Sequence, residues 1–223
     1  MAEKFSAELR RRAERIWQAI DRHPFLCELH SGTLAMDRFV YFIMQDYVYL
    51  LDFGQVLCHA GSKSPDLKTL ELFARHALGA VEVERGFHES FGKSLGLSRA
   101  QLDQVQKAPT TQAYIAHLQS VARTGTLGEI VAAVLPCYWI YGEIGRRLYR
   151  GRPTRPKIYR EWIEVYASQE FWKPVREQIE LMDKLGAQAN SSNRKVMAAH
   201  FILSSRYEFL FWDQAYRLEK WPV

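Results

Sequence analysis

Apolar residues recur every three to four positions through almost the whole chain, and alternating strand patterns with turn dipeptides between them are absent. The pattern predicts an all-α protein. Phe5, Leu9, Ile16 and Ile20 share one face of a helix over about 4–21, which stops before His23-Pro24 because the residue preceding a proline is pushed out of the helical region. A short helix over about 24–31 ends at Gly32, and a long one over about 36–62 reaches Gly61 and Ser64-Pro65. A second long helix runs from Pro65 to Leu95 through Ala77, Ala80, Val81, Glu84, Phe87, His88 and Phe91. Ser98 is the expected N-cap of a short helix over about 98–106, and Thr110 or Thr111 of one reaching about 123. After Gly125 the periodicity resumes over about 126–150. The Gly151-Arg152-Pro153-Thr154-Arg155-Pro156 run is the clearest loop, and helices follow over about 157–168, 170–186 and 192–219. Loops are short, and neither a low-complexity linker nor a repeat of 20 to 50 residues interrupts them. The expectation is a single compact helical-bundle domain over residues 1–223.

Within this pattern a few positions break the separation of apolar from polar. Phe39, Phe42, Ile43, Asp46, Tyr49, Leu50 and Phe53 fall on one helical stripe with a carboxylate in its middle. An ionised side chain facing inward costs several kcal/mol unless it is paired or hydrogen-bonded, so the stripe reads as the wall of a ligand pocket. On the last helix Glu208 sits in the same way among Phe201, Ser204, Ser205, Phe211 and Trp212. Taken alone, a structural pair with an arginine explains Glu208 equally well, since glutamate is rarely buried unpaired.

Pro136 lies inside a helix whose inward positions include Ile130, Ala133, Val134, Ile140, Tyr141, Ile144 and Leu148. Proline there removes the bond to the Ala132 carbonyl and is expected to kink the helix and open space beside Cys137. A free cysteine is more often a small buried filler. Cys27 and Cys58 take that reading, while Cys137 is set apart by Tyr141 one turn on and by the two isolated acids. Glu84 and His88, one turn apart, read as a hydrogen-bonded buried pair more readily than as a catalytic or metal site.

Composition adds bounds. With 48% hydrophobic and 13% aromatic residues the chain has material for a sizeable core, which argues against disorder. The net charge of +5 comes from 30 basic and 25 acidic residues that are interspersed, which argues against a nucleic-acid partner. Three cysteines without metal-ligand spacing argue against a disulfide framework and for a reducing, cytoplasmic setting. The first residues alternate charged and apolar side chains, unlike a signal peptide, and no run of 18 uncharged apolar residues points to a membrane. Glu82, Glu84, His88, Glu143, His200 and Glu208 raise a two-iron site, hence a metal-dependent oxidase or oxygenase. The Glu-x-x-His pairs on separate helices that such sites use are missing, however, and this remains the alternative reading. A third, non-enzymatic possibility is a regulator that binds pyrimidines or DNA.

Four segments carry a resemblance. These are Phe39-Val-Tyr-Phe-Ile-Met-Gln45-Asp46-Tyr47-Val-Tyr49-Leu50, Leu135-Pro136-Cys137-Tyr138-Trp139-Ile-Tyr141, Tyr159-x-x-Trp162-Ile163-x-x-Tyr166-Ala167-x-x-x-Phe171 and Tyr207-Glu208-x-x-Phe211-Trp212. In this order they resemble the TenA-type thiaminase II family, aminopyrimidine hydrolases with a heme-oxygenase-like all-α fold. The resemblance spans nearly the whole chain. It implies that Asp46 binds the pyrimidine, that Cys137 is the nucleophile and that Glu208 is the acid/base. It also places Tyr49, Tyr114, Tyr141, Tyr166 and Phe211 at positions that stack on or hydrogen-bond the ring. With Cys137 present, the chain resembles the branch that hydrolyses 4-amino-5-aminomethyl-2-methylpyrimidine in thiamine salvage. The implied protein is a homotetramer that needs no metal or organic cofactor.

Overall fold

The computed structural model describes residues 3–86 and 95–223, and among these it is built of α-helices without a strand. Eleven helices follow in order: α1 (Phe5–Arg12), α2 (Glu14–Asp21), α3 (Pro24–Ser31), α4 (Met36–Ser62), α5 (Leu67–Gly86), α6 (Arg99–Asp103), α7 (Pro109–Thr124), α8 (Leu127–Tyr149), α9 (Lys157–Ala167), α10 (Gln169–Gln188) and α11 (Ser191–Arg217). They form two compact units, one of Met1–Leu34 with Gly128–Asp213 and the other of Ala35–Leu127 with Gln214–Val223.

In the first unit, the single N-terminal helix expected from periodicity is two helices. The chain breaks at Ala13, whose backbone sits at φ −91°, ψ 1°. Phe5, Leu9, Ala13, Trp17 and Ile20 form the buried face, so Trp17 takes the inward place expected of Ile16, which is only half-buried. The His23 ring accepts the Phe25 N–H at 3.2 Å, and Pro24 occupies the first helical position, where its missing N–H costs nothing. Gly32 ends α3 in the left-handed region at φ 78°. A Cβ at Gly32 would also stand 2.4 Å from the Arg155 carbonyl oxygen, so both backbone and neighbour demand glycine. α10 packs on α1 and α9, and the Ser6 N–H donates to Asp183 at 2.8 Å.

α8 supplies this unit's apolar core. By length and composition it is the one described helix apolar enough to cross a membrane, but 72% of its apolar window is buried against protein. Ile130, Ala133, Val134, Ile140, Tyr141, Ile144 and Leu148 are all buried, as the sequence pattern requires. Pro136 lies within the helix without ending it.

In the second unit, α4 runs over the residues that its stripe marks out and packs on α5 and α7. Its buried surface is wider than the stripe. Tyr47 and Val48 cluster with Leu102, and Gln45 holds the turn before α7 by accepting the Ala108 N–H at 2.9 Å and donating to the Gln106 carbonyl at 3.0 Å. Ser98 caps α6 in a reciprocal capping box with Gln101. α7 starts two or three residues earlier than expected, with Pro109 in its first turn and Ala108 as N-cap. Thr110 is therefore not the cap; its N–H and hydroxyl bind the Glu219 carboxylate at 2.9 and 3.2 Å. Helix α5 is described to Gly86, so the expected continuation through Phe87, His88 and Phe91 lies outside the described residues.

Two cysteine expectations are overturned. Cys27 and Cys58 are exposed, not buried fillers, because each falls on the outward side of its helix; Cys137 is partly buried, and none of the three forms a disulfide.

Candidate functional site

The candidate residues lie in both units, and each set is organised locally. In the second unit Asp46 is 4% exposed, and its Oδ2 is buried with no hydrogen-bond partner among the described residues. Burial pushes the Asp46 carboxyl up to about 7, so the group exchanges a proton near neutrality. One turn further along α4, Tyr49 packs on Tyr114 of α7 with ring centroids 5.2 Å apart and on Phe53 at 5.6 Å. A carboxyl of adjustable charge beside aromatic faces suits a flat heteroaromatic ring that carries both a donor and a basic nitrogen.

In the first unit Cys137 and Tyr141 stand one turn apart on α8. Tyr141 is the centre of an aromatic group: its ring lies 5.0 Å from Tyr166, 5.1 Å from Trp212 and 6.3 Å from Trp162. Trp162 in turn meets Tyr166 at 4.5 Å, and Phe171 meets Tyr166 at 4.8 Å. Through Trp212 this group reaches α11, where Glu208, one turn before Trp212, is 1% exposed. Phe211 is buried on the same helix at 2% exposure. The wall anticipated around Glu208 is present, since Phe201, Ser204, Ser205 and Trp212 are all fully buried. Beside Cys137, burial pushes the Tyr138 phenol well above its ordinary range, with the Cys137 and Glu177 charges adding to the effect.

Two glycines set the approach of these elements. Gly142 lies under Trp172, whose indole N–H donates to the Gly142 carbonyl at 3.2 Å. A Cβ at Gly145 would stand 2.4 Å from the Tyr166 carbonyl carbon and 2.7 Å from the Ala167 nitrogen, so α8 meets the end of α9 backbone to backbone. Gly145→Ala is therefore expected to push α9 outward and loosen the Tyr141 and Tyr166 contact, at a cost of about 1–3 kcal/mol. A thermal melt checks this, and an unchanged midpoint would contradict the close approach.

The groups considered for a two-iron site go elsewhere. Glu143 faces the Arg10 guanidinium at 3.8 Å, with burial raising its carboxyl and Arg10 opposing that rise. His200 faces Glu129 at 3.7 Å, and burial lowers its ring while Glu129 opposes. Glu82 is exposed. Among the described residues no group of three His, Cys, Asp or Glu is placed to hold a metal ion. His88, expected to pair with Glu84, lies outside the described residues.

Sequence reasoning left several contributors without a local role. Trp162 entered only through motif resemblance, and Trp212 only as part of the wall around Glu208, although both indoles pack against Tyr141. Gln45 gave no signal beyond its place next to Asp46.

A structure from Shewanella denitrificans OS217, described as a domain of unknown function with a heme oxygenase-like fold, shares the fold at a TM-score of 0.78 and 17% identity, over 95% of this chain and 92% of that one. A TenA homologue from P. horikoshii OT3 superposes with a TM-score of 0.88 at 31% identity, over 96% of this chain and 99% of the other. A Bacillus subtilis (strain 168) protein named aminopyrimidine aminohydrolase is 38% identical over 98% of this chain and 92% of its own length. A model of the TENA/THI-4/PQQC family matches residues 10–218, and the chain belongs to that family.

Proposed function

We propose that this protein is an aminopyrimidine aminohydrolase. It converts 4-amino-5-aminomethyl-2-methylpyrimidine and water into the 5-hydroxymethyl pyrimidine and ammonia, and cleaves thiamine more slowly by the same route. The observation that carries this reading is Asp46, a buried carboxyl that titrates near neutrality and whose Oδ2 lacks a partner among the described residues. Leaving such a group unsatisfied costs free energy unless a ligand completes it. A 4-aminopyrimidine presents an exocyclic amine beside a ring nitrogen. The Asp46 carboxylate accepts from the amine while a proton shared with the ring nitrogen makes the ring electrophilic. The likeness to the Bacillus subtilis hydrolase over nearly the full length supports the same substrate class.

In this scheme the Cys137 thiolate adds to a carbon of the protonated ring, which breaks its aromaticity. Collapse of the adduct expels the amine from the methylene arm as Glu208 protonates it. Water then adds to the methylene carbon and gives its proton to Glu208, and the thiolate leaves as aromaticity returns. Tyr49, Tyr114, Tyr141, Tyr166 and Phe211 supply stacking faces and hydroxyls for the ring. A cytoplasmic setting and a homotetramer belong to the same proposal. Three cysteines outside any disulfide support the first, and the resemblance drawn from the sequence motifs supports the second.

Ammonia release tests the reading. The aminomethyl pyrimidine is expected to be turned over, while an analogue with hydrogen in place of the ring amine is expected to be turned over at least about 10-fold less well, since it leaves the Asp46 edge unpaired. Equal rates for the two would overturn the role of Asp46, and no ammonia from either would overturn the hydrolase assignment.

A further inference from the structure

Two adjacent serines on α11 differ sharply in how they are satisfied. The Ser205 hydroxyl donates to the Phe201 carbonyl at 2.9 Å and accepts the Trp17 indole N–H at 3.3 Å. Ser204 is equally buried, at 0% exposure, yet its hydroxyl meets no hydrogen-bond partner among the described residues. It does not fold back on its own helix, the usual escape for a serine in a helix interior. A buried hydroxyl left this way is destabilising, and alanine in its place would remove the penalty.

Its position gives the hydroxyl a use. Ser204 lies one helical turn before Glu208, so their Cβ atoms are neighbours on one face, about 5–6 Å apart. Side chains on a helix lean toward its N-terminus, which brings the Glu208 carboxylate back over the turn that Ser204 occupies. Two oxygens so placed are within reach of one small molecule, each about 2.8 Å from it. A serine hydroxyl both donates and accepts, while an ionised carboxylate only accepts. Together they offer complementary contacts to a water molecule or an amine.

We propose that Ser204 is a further catalytic residue: its hydroxyl holds, together with the Glu208 carboxylate, the water that takes the place of the departing amine. This rests on the hydrolase reading above. Once ammonia has left, carrying the proton supplied by Glu208, the water oxygen forms its bond to the methylene carbon. One water proton passes to Glu208 while the Ser204 hydroxyl fixes the direction of the oxygen. The sum is one water consumed, one ammonia released and both residues returned to their starting states.

The test compares wild type, Ser204→Ala and Ser204→Cys with the aminomethyl pyrimidine, in buffer and in buffer containing methanol as a competing nucleophile. Melting curves establish that each variant is folded, and Ser204→Cys keeps nearly the same volume should alanine leave a damaging void. Both variants are expected to lose about 10-fold or more in kcat with KM little changed. The fraction of methyl ether among the products is expected to rise severalfold, because water has lost its fixed place. A merely structural serine would not move that product ratio. Ammonia release by the wild type, together with a folded variant that matches it in kcat and in product ratio, overturns this inference alone. Absence of ammonia release by the wild type overturns it along with the hydrolase reading.

Discussion

Asp46→Asn is expected to make the ligand-free protein more stable, and increasingly so as the pH rises, while it weakens pyrimidine binding and turnover. The sign follows from the titration. Burial raises the Asp46 carboxyl to about 7 in the folded protein, whereas an exposed aspartate in the unfolded chain titrates at about 3.9. Well below pH 4, both states hold the proton and burial of the group costs little. As the pH climbs, the unfolded chain releases its proton first, so the folded state falls behind. Above about pH 7 the folded protein carries a buried carboxylate, and the full penalty of about 4 kcal/mol applies. Asparagine has no proton to lose. Its absolute effect includes the cost of burying an amide, but the change with pH does not. The advantage of Asp46→Asn is therefore expected to grow by about 2–3 kcal/mol between about pH 5 and pH 8. Denaturant unfolding at the two pH values measures it. An advantage that is flat with pH would show that Asp46 is not the isolated buried acid described here. The hydroxymethyl pyrimidine product is expected to raise the melting temperature of the wild type much more than that of Asp46→Asn, because only the carboxylate complements the amine and ring-nitrogen edge. The substitution thus exchanges function for stability, as expected where a binding group is held in an unfavourable state for its ligand.

Cys137→Ser is expected to have the largest effect on rate. A serine hydroxyl fills almost the same space, so the Tyr141 group and the helix around Pro136 are retained. At neutral pH a serine hydroxyl is un-ionised and a far weaker nucleophile than a thiolate, and the proposed scheme has no other atom to add to the ring. Turnover is expected to fall by roughly three orders of magnitude or more, while product binding stays within a few-fold of wild type. Rates from quenched time courses and a thermal-shift titration with product give the two numbers. Near wild-type turnover by the serine variant would remove covalent attack from the mechanism. Loss of binding in parallel with rate would make Cys137 a packing residue.

Much of this molecule is legible in its amino-acid order, and the exceptions have physical causes. The bounds of α4 follow from a long stripe with clear stops, and Asp46 is conspicuous because burying a lone acid is costly. The capping box at Ser98 is a local signal and reads correctly. The start of α7 was also locally encoded, since Pro109 favours the first helical turn more strongly than Thr110 favours a cap. The break at Ala13 has no such mark; neither proline nor glycine announces it, and it is set by how Phe5, Leu9 and Trp17 pack. Exposure of Cys27 and Cys58 escaped because a residue type's average burial says nothing about which side of a particular helix it occupies. The contact of Gly145 with the end of α9 depends on how two successive helices cross, and the periodicity of neither encodes it. Ser204 was visible as part of a wall, but the missing partner that singles it out is a property of the folded surroundings.

The most direct measurement is turnover of the aminomethyl pyrimidine in heavy-oxygen water, with the products weighed by mass spectrometry. Hydrolysis at the methylene arm predicts one ammonia for each hydroxymethyl pyrimidine, with the solvent's heavy oxygen in the new hydroxyl and the ring amine intact. Ammonia drawn from the ring amine, with the aminomethyl arm left in place, would contradict the account.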